Sequence, residues 1–431
     1  MKPTERQAYK RIMAGGTLLI AAQAMAQQEA VMTTPENAVV APALRDPGAV
    51  SQSTPATLAG AFFTFGALSL HPHLVVRSVY GLGLPTEGGR HVASMINTQA
   101  PGLTVDAGRH WTIDYTPTWT TYTARALKDT VDHSASLQGT GKVQDWAVTW
   151  TEIYNASSPI LIETGAQTAQ RTWSSQLGAS RGFSSGLTFS TNESLNERYA
   201  EISPDTRDWA TMNWLTVRSA KRLEAGLGLG AGYSEIVGRP DGTNERYMGR
   251  LNWSPTDKLS IGVDGGMEAR HSRASGSKDM RNPLLNGSLI YRPFLTTTLS
   301  VTAAKFVTNS YFDNQVSKGT SWNVTAQQRL LRHLYFSASY SRQRTEFESV
   351  TTFVPVLVIP EDPSTDPTVE RLPISLPGRS DHTDSFNARL TTTLLKRLTL
   401  GVSCSRSRNR SSQTGFTFTT TQYGLELAYR Y

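Results

Sequence analysis

At 431 residues, with 38% hydrophobic and 18% charged side chains, the chain is poor in apolar residues for its size, yet a 9% aromatic content separates it from a disordered polymer. A net charge of +7, which falls to +4 without the basic N-terminal segment described next, gives no concentrated basic face of the kind a nucleic-acid partner requires. The single cysteine, Cys404, excludes an internal disulfide.

Lys2, Arg6, Lys10 and Arg11 precede an apolar stretch, Ile12 to Ala22, and then Ala24-Met25-Ala26. Basic start, short apolar core and small-residue exit are the order of a secretory signal peptide, so residues 1–26 are read as a removed signal. No later run of roughly 18 apolar residues follows, so no helix is expected to span a bilayer. Residues 27–57 are rich in Ala, Pro, Gln and Thr without a period, and Leu58 to Leu70 reads as a plug, a short helix or an extra strand. Together 27–70 form a periplasmic linker or plug segment.

From His71 to Tyr431 the hydropathy alternates with period two. Trp111, Ile113, Tyr115 and Trp119 alternate with Thr112, Asp114, Thr116 and Thr118, and Leu259, Ile261, Val263 and Met267 with Ser260, Asp264 and Glu268. Leu227, Leu229, Ala231 and Tyr233 alternate with four glycines, and Phe336, Ala338 and Tyr340 with serines. Each segment is a strand with one apolar and one polar face. Eight short connections, placed at 107–110, 141–144, 180–182, 220–222, 254–258, 293–295, 331–333 and 395–397, alternate with nine longer ones around 85–90, 126–130, 155–167, 200–206, 238–243, 271–281, 313–317, 348–381 and 409–414. Nine hairpins make a transmembrane antiparallel up-and-down β-barrel of about 18 strands over 71–431, with turns periplasmic and loops outside. An outer-membrane location follows, with outer-membrane lipid and the barrel assembly machinery as partners.

The last strand alternates Tyr423, Leu425, Leu427, Tyr429 and Tyr431 with Gly424, Glu426, Ala428 and Arg430. Its apolar stripe ending in an aromatic residue reads as the assembly signal, and its pairing with the first strand would remove the sheet edge. By the same alternation Arg77, Asp114, Asp145, Glu224, Arg250, Asp264, Glu268, Arg329, Arg389, Glu426 and Arg430 line the lumen. Their mixed signs suit neutral or weakly charged polar solutes better than one ion. Cys404 continues the run Leu398, Leu400, Val402 and is expected to face lipid.

Three features test for chemistry. His71 and His73 stand at i and i+2, half of a metal site, but no third ligand has motif spacing. Asp132-His133 and Asp381-His382 could each serve as a base pair in a barrel hydrolase, although a motif used twice reads better as a strand start. No catalytic residue, cofactor or metal is expected, and the chain reads as no enzyme. The apolar run Val354 to Pro360 with its acidic, proline-rich continuation to Pro367 lies in a segment, 353–377, long enough to narrow or cover the pore.

Leu70-His-Pro-His-Leu74, Tyr80-Gly-Leu-Gly83, Val131-Asp-His-Ser134 and Arg397-Leu-Thr-Leu-Gly401 resemble the beta-barrel porin 2 family of outer-membrane proteins, over about residues 58–431. That resemblance implies a barrel of this strand count and, for some members, a conduit for polysaccharide export working with a periplasmic polysaccharide-export protein. A general diffusion porin for small polar solutes is the other reading of the same architecture.

Overall fold

Alternating Thr/aromatic and Ser/aliphatic segments favour extended backbone, because β-branched and aromatic side chains pack well on a pleated surface. The computed structural model describes residues 63–86, 90–160, 167–183, 186–201, 204–220, 222–237, 241–272, 279–309, 316–358, 368–395 and 397–431. The signal segment 1–26, the linker 27–57 and residues 58–62 lie outside them.

The described strands are β1 Phe63–Phe65, β2 Leu68–Pro85, β3 His91–Ala107, β4 Trp111–Tyr122, β5 Thr130–Val143, β6 Trp146–Ser157, β7 Gln170–Gly182, β8 Leu187–Ala200, β9 Thr206–Ala220, β10 Leu223–Ile236 and β11 Gly242–Thr256. They continue as β12 Leu259–Ser272, β13 Met280–Phe294, β14 Thr297–Asn309, β15 Val316–Leu331, β16 Leu334–Phe347, β17 Val350–Val358, β18 Thr368–Leu376, β19 Arg379–Leu394, β20 Leu398–Ser411 and β21 Phe418–Arg430.

One sheet of 19 strands holds all of these except β17 and β18. Strand β1 only extends its edge, pairing with the start of β2 (Phe63↔Leu70). The remaining 18 close on themselves: β16 pairs with β19 (Tyr340↔Phe386), and β21 returns to β2 (Leu74↔Tyr429, Tyr80↔Tyr423). Closure matters because an open edge in hydrocarbon would leave backbone N–H and C=O groups without partners, each at a cost of several kcal/mol.

Register and exposure together assign the two faces. Leu74, Val76, Tyr80, Leu215, Leu227, Leu229, Leu251, Val263, Val402 and Leu425 are exposed on the outside, where a barrel in water would bury them. Trp111, Trp253, Tyr291 and Tyr429 stand in an exposed tier near the short-turn end, and Trp119, Trp173, Trp322, Phe386 and Tyr423, with half-buried Tyr340, in another toward the long-loop end. An apolar band between two aromatic girdles is the surface of a transmembrane barrel, whose solvent is lipid. Cys404 lies on this outer face between Ala388 and Tyr423.

The short and long connections alternate as the sequence predicts, with both ends of the ring at the short-turn end. Three turns sit further along the chain than expected, that of 293–295 falling at Leu295–Thr296 because Phe294 is still paired to Thr297. The 141–144 turn falls at Gln144–Asp145, with Val143 still paired to Trp146 and Gln144 at φ 55°. The 180–182 turn falls at 183–186, where Gly186 takes φ +75°, because Arg181 is still paired to Phe189. Segment 353–377 is different in kind: its backbone forms a hairpin of its own, β17 on β18, from Val350↔Leu376 to Val358↔Thr368. Pro355 and Pro373 fit there because a two-stranded sheet consists only of edge strands.

Candidate functional site: the lumen wall

Ten of the eleven expected lining residues share the inward face. Cross-strand pairing brings Arg77 opposite Glu426, Arg250 opposite Asp264, Glu224 opposite Arg218, and Arg389 within an ion pair of Glu426. Asp114 accepts a hydrogen bond from Thr104 (2.6 Å), Glu268 sits between two arginines, and Arg329 and Arg430 are exposed near the short-turn end. Asp145 does not line the wall. It belongs to the β5–β6 turn, where its exposed carboxylate pairs with Arg181 at 3.0 Å; β5 runs on to Val143 and β6 starts only at Trp146, so the turn takes the position that alternation gave to the strand.

The densest part of the wall lies on β9 to β13. Inward positions of β10 are Gly226, Gly228, Gly230 and Gly232, and this stripe makes room for large neighbours. A Cβ at Gly228 would lie 2.5 Å from Met212 Cε and 2.7 Å from the Trp214 ring. Trp214, buried across the glycines, carries the Arg250 guanidinium on its face, 4.0 Å from the ring centroid. Arg250 in turn grips Asp264 through two parallel bonds of 2.8 and 2.9 Å. One step toward the loops, Glu268, only 1% exposed, takes Arg246 at 2.7 Å on one oxygen and Arg270 on the other, while Arg270 also donates to the Val307 carbonyl at 3.0 Å. Sequence reasoning found Arg250, Asp264 and Glu268 but missed Arg246, Arg270 and Trp214. The same alternation reaches all three, and the glycine stripe opposite them was the available signal.

The adjoining wall is plainer. On β4 to β8 the inward positions are mostly Thr, Ser, Asn and Gln, half-exposed, and Ile153 among them is 38% exposed although it faces inward. Solvent therefore reaches the interior, as it must in a ring of this strand number, which side chains alone do not fill. Near the short-turn end His71 Nε2 pairs with Asp106 at 3.2 Å, and His73 Nε2 meets the Thr116 hydroxyl at 3.0 Å with Asp114 at 3.9 Å. Each imidazole thus has its own carboxylate. No cluster of three metal-ligating groups occurs among the described residues.

At the long-loop end an apolar cluster sits on one side of the mouth. Leu84, Leu127 and Ile160 are buried together against Val92, Ile96 and Tyr122, whose strand positions face inward. The connection carrying Leu127 is held by Tyr122 N–H donating to Asp129 (2.8 Å) and by Lys128 N–H donating to the Gln167 side chain (2.9 Å). Elsewhere on the same rim, three strands from β2, buried Arg379 lies over the Phe347 and Phe416 rings and pairs with Asp381 at 3.1 Å, at the root of the β17–β18 hairpin.

The two Asp-His pairs are split by the pleat. Asp132 faces inward and its carboxylate accepts a hydrogen bond from Ser158 N–H, whereas His133 faces outward and shares a 2.9 Å hydrogen bond with Tyr115. Asp381 faces inward beside Arg379, and His382 outward opposite Arg344 and Arg410. Adjacent strand residues point to opposite sides of a sheet, so neither pair can share a proton. At the closing seam Tyr431 donates its backbone N–H to Pro72 and lies under the Arg397 guanidinium, 3.5 Å from the ring centroid. Hydrogen bonding to Tyr431 holds Arg397 above the ordinary arginine value.

Neither a protein-family model nor a curated protein sequence matches the chain. Among solved structures it is similar to OccAB3 of Acinetobacter baumannii (10% identity, 84% of this chain and 99% of that one, TM-score 0.43), to OccK2 (OpdF) of Pseudomonas aeruginosa (13%, 84% and 98%, 0.44) and to OpdO of the same organism (11%, 84% and 97%, 0.44). At that distance neither lumen residues nor a solute carries over to this chain.

Proposed function

We propose that the chain is an outer-membrane pore for polar, hydroxylated solutes of low net charge. The carrying observation is the closed 18-strand ring with an apolar outside and an inward face of hydroxyl and amide side chains, on which most of the charges named above are cross-paired. Paired charges leave little net field along the path, so the wall selects weakly by sign, while Ser, Thr, Asn and Gln can exchange hydrogen bonds with a solute's hydroxyls as water does. Carbohydrate is the solute chemistry that matches this lining best.

Polysaccharide export, which the family resemblance implies, is the more specific version of the same reading. It asks in addition that the path admit a chain of sugars and that the short-turn end receive a periplasmic export protein; exposed Arg222 and Lys258 stand on that rim. The assembly role of Tyr423, Leu425, Leu427, Tyr429 and Tyr431 belongs to this proposal too, supported by the closing pairing of β21 with β2.

Purified barrel in planar bilayers should show discrete conductance steps and a reversal potential near zero across a KCl gradient. In liposome swelling, sugars should enter. Absence of conductance would overturn the pore, and strong selectivity for one sign would overturn the balanced lining. Swelling that stops at disaccharides would remove the polymer conduit while leaving the small-solute pore.

A further inference from the structure

The pore reading makes no use of a group of arginines on the outside of the barrel. On β20, Arg406, Arg408 and Arg410 continue the outward series of Val402 and Cys404, and all three are exposed. Register carries this group sideways: Arg408 is opposite Asp384, which is opposite Arg342, and Arg410 is opposite His382, which is opposite Arg344. Arg342 and Arg344 are exposed as well. The five guanidinium-bearing positions therefore occupy a patch about 13 Å along the strands and about 10 Å across them.

Two carboxylates lie within the patch. Asp384 stands 3.7 Å from Arg342 and accepts a hydrogen bond from Tyr340, and Glu346 pairs with Arg344 at 2.6 Å. Arg406, Arg408 and Arg410 have no ion pair among the described residues. Repeating three unpaired cations at alternate positions of one strand costs mutual repulsion, which a barrel wall tolerates if something anionic covers them. The outward rim on the far side is built otherwise: there Glu197 pairs with Arg207, and Glu235 and Glu245 add further carboxylates.

The level of the patch names the partner. One pair inward along the same strands stand Tyr340, Phe386 and, beside Arg406's neighbour Thr421, Tyr423, members of the aromatic tier at the long-loop end. The arginines thus begin where the apolar band stops, at headgroup depth, and Arg406 lies directly opposite the Phe386 ring position. Guanidinium groups bind phosphate through paired N–H donors, and basic clusters at this depth attract anionic lipid headgroups. On the pore reading, which puts the long loops outside, we infer that β16, β19 and β20 form a binding site for an outer-leaflet lipid whose headgroup carries at least two phosphates, its acyl chains lying against Phe386, Tyr340 and Tyr423.

Native mass spectrometry of the full barrel in detergent, titrated with diphosphoryl lipid A, monophosphoryl lipid A or phosphatidylcholine, tests the assignment. The diphosphoryl lipid should be retained at least tenfold better than the other two. The Arg406→Gln, Arg408→Gln, Arg410→Gln triple variant should lose at least tenfold in retention, and Arg171→Gln, a control on the other side of the barrel, should lose nothing. Heat-modifiable mobility checks that each variant is folded. Equal retention by the triple variant, no preference for two phosphates, or full displacement by millimolar inorganic phosphate would each overturn the lipid site. Fractionation separates the two levels: wild-type protein absent from outer membranes fails the pore reading and this site with it, whereas a folded outer-membrane barrel that ignores the lipid fails this site alone.

Discussion

Replacing Glu268 by Gln tests whether the lumen charges are compensated as a set. Glu268 is buried between Arg246 and Arg270, which are 14% and 19% exposed in their side chains, so the variant leaves two guanidinium groups facing each other across a neutral amide. Unit charges about 4 Å apart interact by about 4 kcal/mol at an effective dielectric of 20, and removing one partner of a buried pair costs about 3–5 kcal/mol. Both arginines can turn toward lumen water and Gln still accepts one bond, so the loss should fall near about 3 kcal/mol, roughly a hundredfold in the folding equilibrium. Urea unfolding in lipid vesicles reads that change. The sign of the second effect is fixed: one positive charge becomes uncompensated on the wall, so the reversal potential in a KCl gradient should move toward anion preference. Adding Arg270→Gln removes the orphaned cation and should recover most of both effects. An unchanged midpoint with unchanged ion preference would refute the placement of Glu268 as a compensating charge in the pore.

Deleting Tyr423–Tyr431 removes most of the pairing of β21 with both β2 and β20; with several kcal/mol at stake for each backbone group orphaned in lipid, heat-modifiable protein should vanish from outer membranes, and normal levels would contradict the closed ring. Changing His133 and His382 together to Asn should leave conductance as it is and cost about 1 kcal/mol or less, mainly the Tyr115 hydrogen bond, since both rings face away from the lumen; loss of function in a folded barrel would reopen an enzymatic role. Leu127→Ala opens the buried Leu84 and Ile160 cluster at a cost of about 2–5 kcal/mol to that connection, so single-channel conductance should rise or become noisy; an unaltered trace would place the cluster clear of the path.

The sequence by itself determined the strand number, the order of short and long connections and the face of nearly every strand residue. All three rest on a period of two, which is local: once Val263 is outside, Asp264 is inside whatever the rest of the chain does. The outward position of Arg406, Arg408 and Arg410 was readable in the same way, as a continuation of Leu398, Leu400 and Val402. Only the tertiary structure decided which inward charges meet. Glu268 finds Arg246 because of the stagger between β11 and β12, and Arg389 finds Glu426 across β20; such staggers follow from how the whole ring tilts and closes, not from any one strand. It also decided that Asp145 lies in a turn, that 353–377 pairs with itself, and that Leu84, Leu127 and Ile160, spread over 76 residues of chain, meet in one cluster at the mouth. Those features belong to connections and the strand ends they pack on, and connections carry no period from which their partners could be read.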